Sequence, residues 1–124
     1  MLIERSKKSE KKFSVRSPSG KLIHFAQKGY GDFDLHRRAC GMKFALKKRR
    51  RYVTSHKAIL LKDGSPAWRN PESPEFYSIR STWEYPRGNS LFKQVVAIRN
   101  KGLSKDEKAF ISKQKKLLSN KIFK

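Results

Sequence analysis

The sequence has little cysteine, few acidic residues and no long apolar run. Cys40 is the only cysteine among the 124 residues, which excludes an internal disulfide and is compatible with a reducing compartment. Apolar runs are short, such as Ile59-Leu60-Leu61, and the opening MLIERSKKSEKK has no apolar stretch after its charges. We therefore expect neither a transmembrane segment nor a secretory signal, and we expect the protein on the cytosolic or nuclear side of the cell.

Acidic residues are scarce beside the cations. The chain has 10 Asp and Glu against 31 Lys and Arg, which gives a formal net charge of +21. The acids are mostly isolated in the sequence, so we see no carboxylate cluster suited to two-metal chemistry. A charge this far from zero selects polyanionic partners, which are nucleic acid, an anionic membrane face or an acidic protein surface.

Motifs for catalysis or cofactor binding are weak. His36 and Cys40 have the i,i+4 spacing of two zinc ligands, but no second Cys/His pair completes a four-ligand site. Gly20-Lys21 resembles the end of a phosphate-binding loop, but Leu22 stands where a hydroxyl residue is required. We therefore predict a protein that is not an enzyme, with no cofactor, no metal and no small-molecule substrate.

The pattern of apolar residues predicts an α+β fold. Phe13 and Val15 alternate with polar residues, and a Pro/Gly turn at 17–20 separates them from an apolar stretch that ends at Phe25, which indicates a β-hairpin. A basic helix is predicted over 35–53, where Gly41 lies inside the apolar pattern and can divide the helix into two pieces.

The remaining chain gives the predicted boundaries. Residues 1–12 are rich in Lys, Ser and Glu and predict a basic mobile arm. The small α+β domain is predicted over 13–102, with a proline-rich loop at 62–75 and a further strand at 76–85, where aromatic residues and Thr are enriched. Residues 103–124 predict a C-terminal basic amphipathic helix.

Two C-terminal helices are predicted from their end signals. Ser90 can cap a short helix that ends near Gly102. Ser104 and Glu107 have the spacing of a capping box, in which each side chain bonds the backbone amide of the other residue. We expect the final helix to begin directly after that box.

The cations are concentrated in blocks. Residues 35–62 carry ten cations and no acid, whereas residues 63–92 are nearly neutral and richest in aromatics, which we interpret as core rather than as a base-stacking surface. Like charges at i,i+3 and i,i+4 each destabilise a helix by about 0.2–0.5 kcal/mol, and a polyanion would neutralise them. A solvated basic face or a nuclear-import signal are the alternatives. The predicted partner-binding cations are Arg37, Arg38, Lys47, Lys48, Arg49, Arg50, Arg51, Lys113, Lys115 and Lys116.

Residues from Lys12 to Trp83 carry a resemblance to a known family. The stretch KFSVRSPSGKLIHFAQKGYGDFDLH resembles the opening of short, basic, functionally uncharacterised proteins of large nucleocytoplasmic double-stranded DNA viruses. The resemblance is good in the hairpin, loose after Gly41, and does not extend to residues 93–124. It implies a viral origin but no catalytic residue. The residues that carry it are Pro18, Ser19, Gly20, Lys21, Gly29, Tyr30 and His36, followed by Tyr52, His56, Trp68 and Trp83.

Two functions are compatible with these observations. The first is a structural component of the virus particle, a minor capsid or inner virion protein that bridges larger capsid proteins and an anionic membrane face. The second is a sequence-independent DNA-binding protein that packages or condenses the genome. Both functions use the same cations, and both place the protein in the virion.

Overall fold

A three-stranded antiparallel sheet forms the N-terminal part of the computed structural model, which describes residues 1–122. Its strands are β1 (Glu4–Arg5), β2 (Lys11–Arg16) and β3 (Leu22–Gln27), in the order β1-β2-β3. Phe13 is opposite Phe25 and Val15 is opposite Ile23, and all four side chains are buried. The predicted hairpin is confirmed, and its turn is closed by Gly20 at φ +88°.

The first residues belong to the sheet and the core. Ile3 is 3% exposed and packs in the apolar cluster that contains Phe13 and Val95. Its amide donates to Gln94 Oε1 at 2.8 Å. The expectation of a mobile arm over 1–12 is therefore corrected, because Ile3 finds an apolar site between the sheet and the C-terminal half of the chain.

Two consecutive helices follow the sheet, α1 (Phe33–Cys40) and α2 (Met42–His56). Asp32 caps α1 by accepting from the Leu35 amide at 3.0 Å. Gly41, at φ 89° and ψ 171°, separates the helices, so the predicted division at this glycine is confirmed. Helix α1 packs against α2 on one side and against the last helix of the chain on another.

Residues 76–82 are helical and 83–85 lie in no strand, so the strand predicted over 76–85 is wrong. Helix α3 (Pro74–Tyr77) continues into a π-helical turn at Ser78–Thr82. Ser73 caps α3 and Pro74 occupies its first turn, which starts a helix at little cost. The hydroxyls of Ser81 and Thr82 donate to backbone carbonyls four residues back. These bonds satisfy the two hydroxyls inside the helix. The segment is rich in aromatic residues because it is buried, and not because it pairs in a sheet. The proline-rich loop before α3 contains a 3₁₀ turn at Ala67–Arg69.

Two further helices complete the fold, α4 (Ser90–Lys101) and α5 (Lys105–Ile122). Asn89 caps α4 instead of Ser90, and α4 ends at Gly102 as predicted. The capping box is confirmed, since Ser104 N donates to Glu107 Oε1 at 2.8 Å and Glu107 N donates to Ser104 Oγ at 3.2 Å. Residues 123 and 124 of the predicted C-terminal helix lie outside the described residues.

The core has two clusters that α4 joins. Val95 of α4 lies in the cluster on the sheet, and Phe92 lies in the cluster between α1 and the end of the π-helical turn. Within residues 1–122, none of the helices combines the length and the apolar character that a membrane crossing requires. The first cluster consists of Ile3, Phe13, Val15, Ile23, Phe25, Tyr77 and Val95, and the second of Phe33, Ala45, Trp83 and Phe92.

Candidate polyanion-binding surface

A buried ion network lies between the sheet, α1, α4 and α5. The Arg99 side chain has 0% exposure and donates to Asp32 Oδ2 at 2.7 Å, to Glu107 Oε2 at 2.7 Å and to Asp34 Oδ2 at 3.2 Å. Lys12 Nζ lies 2.9 Å from Asp32 Oδ2. Three carboxylates are thus held around one guanidinium, which has the fork geometry to bond several oxygens at once.

The network shifts the pKa values of its carboxyls. Burial alone would raise the pKa of Asp32, but the charges of Arg99 and Lys12 hold that pKa well below its usual range. Burial also opposes ionisation of Glu107, yet hydrogen bonds from Arg5 and the charge of Arg99 lower its pKa to about 2. Both carboxylates are therefore ionised at neutral pH in the folded protein.

Two of the predicted partner-binding arginines belong to this network. Arg37 Nη2 lies 2.5 Å from Asp34 Oδ1, and Arg38 Nε lies 2.9 Å from Asp34 Oδ2. The acid occupies the first turn of α1, so residues three and four positions later reach it directly. Arg37 and Arg38 therefore share Asp34 within the fold and remain partly exposed, and their binding to a partner stays a prediction.

The basic run of α2 divides into an inner and an outer side. Arg49 lies inside, where Nη1 is 3.2 Å from Glu84 Oε1 and the guanidinium is 4.8 Å from the Phe33 ring centroid. Lys48 Nζ lies 5.3 Å from the Phe44 ring centroid. The outer side, which we call the α2 stripe, consists of the exposed cations Lys43, Lys47, Arg50 and Arg51.

The α2 stripe is a continuous row of positive charge. From Lys43 its members follow after four, seven and eight positions, which places them on one helix face over about 12 Å of helix length. Among the residues that the structure describes, Arg49 is the only member of the run from Lys47 to Arg51 with an acidic partner. The exposed cations of the run, Lys47, Arg50 and Arg51, form no salt bridge with the described residues.

Helix α5 presents a second set of cations. Lys113, Lys115 and Lys116 are exposed, as predicted from the amphipathic pattern. The opposite side of α5 contacts the fold through Phe110, whose ring lies 5.3 Å from the His36 ring. The fold thus orients these lysines outward.

Most of the acids outside the network are also engaged within the chain. Glu75 Oε2 lies 3.0 Å from His56 Nδ1, and Glu72 Oε1 accepts from the hydroxyls of Ser17 and Ser19 at 2.6 and 2.5 Å. Hydrogen bonds from these two serines lower the pKa of Glu72. Contacts within the chain therefore hold both carboxylates in place.

The turn that carries the viral resemblance is held by Glu72. Pro18, Ser19, Gly20 and Lys21 are all exposed, and the Ser19 amide donates to Glu72 Oε2 at 3.1 Å. Downstream, Gly29 has φ +85°, and the carbonyl of the exposed Tyr30 accepts from Lys12 Nζ at 2.6 Å. These motif residues therefore shape the turn and its connection to α1.

His36 lies in a cleft of about 480 Å³ that the sequence did not predict. Tyr52, which also lines it, stacks between His56 and Trp83, with centroid distances of 3.7 and 4.4 Å. Burial lowers the pKa of His36, and its Nδ1 has no hydrogen-bond partner within the described chain. The signal in the sequence was the resemblance, because His36, Tyr52, His56 and Trp83 all belong to it.

The cleft offers little for nucleophilic catalysis. The His56–Glu75 pair has the form of a base held by an acid, but among the described residues no hydroxyl is hydrogen-bonded to His56 Nε2. Likewise, no three His, Cys, Asp or Glu residues of the described chain form a group that could hold a metal ion. Aromatic side chains line the cleft together with charged ones such as Lys12 and Asp32.

A second recess, which we call the α2 groove, lies beside the α2 stripe. It has a volume of about 790 Å³ and separates α2 from the residues around the 3₁₀ turn and the end of the π-helical turn. The sequence placed the aromatic block apart from the basic block, whereas the fold brings the two together here. The groove is lined chiefly by Leu46, Arg50, Val53, Trp68, Arg80, Tyr85 and Arg87.

Comparisons of the chain with protein-family models, with curated proteins and with solved structures found no match.

Proposed function

We propose that this protein is a non-enzymatic structural component of a large double-stranded DNA virus particle that binds a polyanionic surface. The observation that carries the proposal is the separation of charge. Acids such as Asp32, Asp34 and Glu107 are buried and paired inside the fold, while the α2 stripe has only cations. The viral context follows from the resemblance of the hairpin and the residues after it.

The energetics favour an external counter-ion for the stripe. Lys47 lies four residues from both Lys43 and Arg51, and each such like-charge pair costs a helix about 0.2–0.5 kcal/mol. An acidic protein surface or an anionic membrane face removes this cost. In addition, binding to a polyanion of high charge density releases condensed counter-ions.

A bridging role also needs an apolar contact with a protein partner. Leu60, at the edge of the proline-rich loop, is 60% exposed, and Leu117 on α5 is 48% exposed. A protein that joins capsid subunits would bury apolar surface through the last helix, which contains Leu117, and through the proline-rich loop, which Leu60 precedes by two residues. They supply the protein-facing contact, and the α2 stripe supplies the anion-facing contact.

Sequence-independent binding of genomic DNA for packaging is the second candidate. It is favoured by the arrangement of the α2 stripe on one continuous helix face, as phosphate contacts require. The sequence contains no zinc-finger spacing, RNA-recognition motif or basic-zipper heptad that would read bases.

The test is binding across a salt series to a random-sequence duplex and to phosphatidylserine vesicles. In one variant the four stripe cations are changed to Gln. We expect this variant to lose affinity for both ligands, with the slope of log affinity against log salt for the duplex reduced by about 3 to 4. The matched control changes four exposed lysines elsewhere, Lys7, Lys8, Lys21 and Lys62, to Gln.

The outcomes separate the two candidates. Duplex binding that persists at physiological salt supports genome packaging, whereas duplex binding that collapses there while the vesicles stay bound supports the bridging role. Equal losses in the stripe variant and the control would remove the α2 stripe as the site. No binding to either ligand would contradict the proposed function.

A further inference from the structure

The α2 groove has an apolar floor beside its cations. Leu46 is 40% exposed, and Val53 lies about two helical turns later on the same face of α2. Trp68 and Tyr85 form the opposite wall, with their rings 6.0 Å apart in an edge-to-face arrangement. A ligand that fills the groove must therefore bury aliphatic and aromatic surface.

Of the four arginines that line the groove, only Arg49 has an acidic partner among the described residues. Arg80 is half-buried, and its Nη1 donates to the carbonyls of Trp68 at 2.6 Å and Phe76 at 3.0 Å, but within residues 1–122 it has no carboxylate partner. Arg50 and Arg87 are exposed along the groove. The neighbouring acid, Glu84, is engaged by Arg49. The charge that complements this groove is negative.

The aromatic rings are already occupied by cations. Lys57, Arg69 and Arg80 lie 4.8, 5.0 and 5.4 Å from the Trp68 ring, and Lys57 lies 5.0 Å from the Tyr85 ring. A nucleic-acid base stacks on a free aromatic face, and these cations compete with a base for the faces of both rings. Trp, Tyr and Arg are also the residues enriched where protein segments bind most strongly. The observations thus favour a protein ligand over a single nucleic-acid strand.

From these contacts we infer that the α2 groove binds an acidic amphipathic segment of a protein partner, with apolar side chains on Leu46 and Val53 and carboxylates on Arg50, Arg80 and Arg87. The inference rests on the proposed function, because it names the protein partner of the same basic helix. An amphipathic helix in a groove is an established mode of recognition. Charge complementarity decides which kind of segment can enter.

The test is selection from a displayed library of random peptides of about 16 residues on the wild-type protein. We expect enrichment of peptides in which Asp or Glu flank Leu, Ile or Phe at helical spacing. The variant R50E/R87E and the variant L46N should each weaken binding of the enriched peptides at least about tenfold, since both remove contacts at the centre of the site. The matched control K43E/K47E makes the same charge change on the exposed side of α2, and it should change affinity less than about threefold.

Other outcomes overturn the inference in distinguishable ways. Enrichment of acidic peptides without apolar residues would show that the stripe acts without the groove. Equal losses of peptide affinity in R50E/R87E and in K43E/K47E would show the same. In either case the proposed function would stand. Tighter binding of an oligothymidylate that also depends on Arg50 and Arg87 would assign the groove to nucleic acid. Loss of all binding to peptides, duplex and vesicles would overturn both proposals.

Discussion

Arg99 is the residue on which the interior depends. Its buried guanidinium bonds Asp32, Asp34 and Glu107, so three carboxylates would lose their shared counter-ion if it were removed. Breaking a buried ion pair costs more than the pair contributes, because the remaining charges stay desolvated.

We expect R99M to destabilise the protein by about 3–5 kcal/mol, which is enough to unfold many domains of this size. R99K should fall between R99M and the wild type, because one ammonium cannot reproduce the guanidinium fork. Urea denaturation followed by circular dichroism measures both effects. R87M, on an exposed side chain, serves as the control and should lie within about 0.5 kcal/mol of the wild type. An R99M protein as stable as the control would contradict the role of the network.

Acid should weaken the same network. The folded pKa of Glu107 is about 2 against an ordinary value of 4.5, so its contribution is complete above pH 4.5 and is lost as the pH falls towards 2. The lowered pKa of Asp32 acts in the same direction, and its contribution to stability is lost as the pH falls below the ordinary pKa of 3.8. We expect the free energy of unfolding to fall through this window, with up to about 3 kcal/mol of the loss due to Glu107.

The variant E107Q isolates that contribution, because Gln can keep the capping box but cannot titrate. Its free energy of unfolding should be lower than that of the wild type at pH 7, and it should decline less between pH 5 and pH 2. Urea titrations at each pH provide the measurement. Parallel pH profiles for the two proteins would show that Glu107 is not held ionised by Arg5 and Arg99.

At the scale of elements, the connection between α1 and α2 depends on one glycine. Gly41 has φ 89° and ψ 171°, a backbone region that is open almost exclusively to glycine, and a Cβ there would meet no atom within 4 Å. We expect G41A to destabilise the protein by about 1–3 kcal/mol through backbone strain alone. Thermal melting measures the change.

Gly102 offers the matched control for this substitution. It also ends a helix and is also open to a Cβ, but its φ of 165° is extended backbone that any residue adopts. G102A should therefore be nearly neutral. Equal effects of the two substitutions would mean that the conformation at Gly41 is not the cause of the cost.

Elements with local signals could be predicted from the sequence, whereas residues 76–85 could not. The hairpin, the division at Gly41 and the Ser104 capping box each depend on residues within a few positions of one another. Residues 76–85 have the composition of a strand, but Ser73 and Pro74 start a helix before them. An N-cap residue followed by proline was the signal for a helix that the sequence offered. The aromatic content was misleading because Tyr77 is in a helix that packs against Phe25 of β3.

The candidate sites depended on contacts that are distant in the sequence. The local density of cations predicted that this part of α2 is exposed. The structure shows the exposed side chains of Lys47, Arg50 and Arg51. The inward side of α2 was missed, because Glu84 lies 35 residues after its partner Arg49. The α2 groove was missed for the same reason, since it forms only when the aromatic residues of the neutral block fold against the basic helix.

At the scale of the whole molecule, charge repulsion opposes the folded state. The chain has 31 cations against ten acids, and three of those acids, Asp32, Asp34 and Glu107, are buried. We expect the melting temperature to rise as NaCl increases from about 50 to about 500 mM, because the Debye length shrinks from more than 10 Å to a few ångström. Differential scanning calorimetry measures the shift.

A polyanion should raise the melting temperature further at constant ionic strength. Heparin binds the folded protein by its arranged cations and stabilises it by mass action. The Gln variant of the α2 stripe should respond less to heparin than the wild type does. A melting temperature that is independent of both salt and heparin would show that self-repulsion is not a significant term in this fold.

The contacts that join the two ends of the chain also determine when the protein can fold during synthesis. Ile3 bonds Gln94, Arg5 bonds Glu107, and Asp32 depends on Arg99, with separations of 91, 102 and 67 residues. A nascent chain that has not yet released α4 and the start of α5 from the ribosome lacks the cation that its buried acids require. Folding of this domain is therefore completed only after α4 and the start of α5 have emerged, and until then the apolar residues of the sheet are exposed to aggregation.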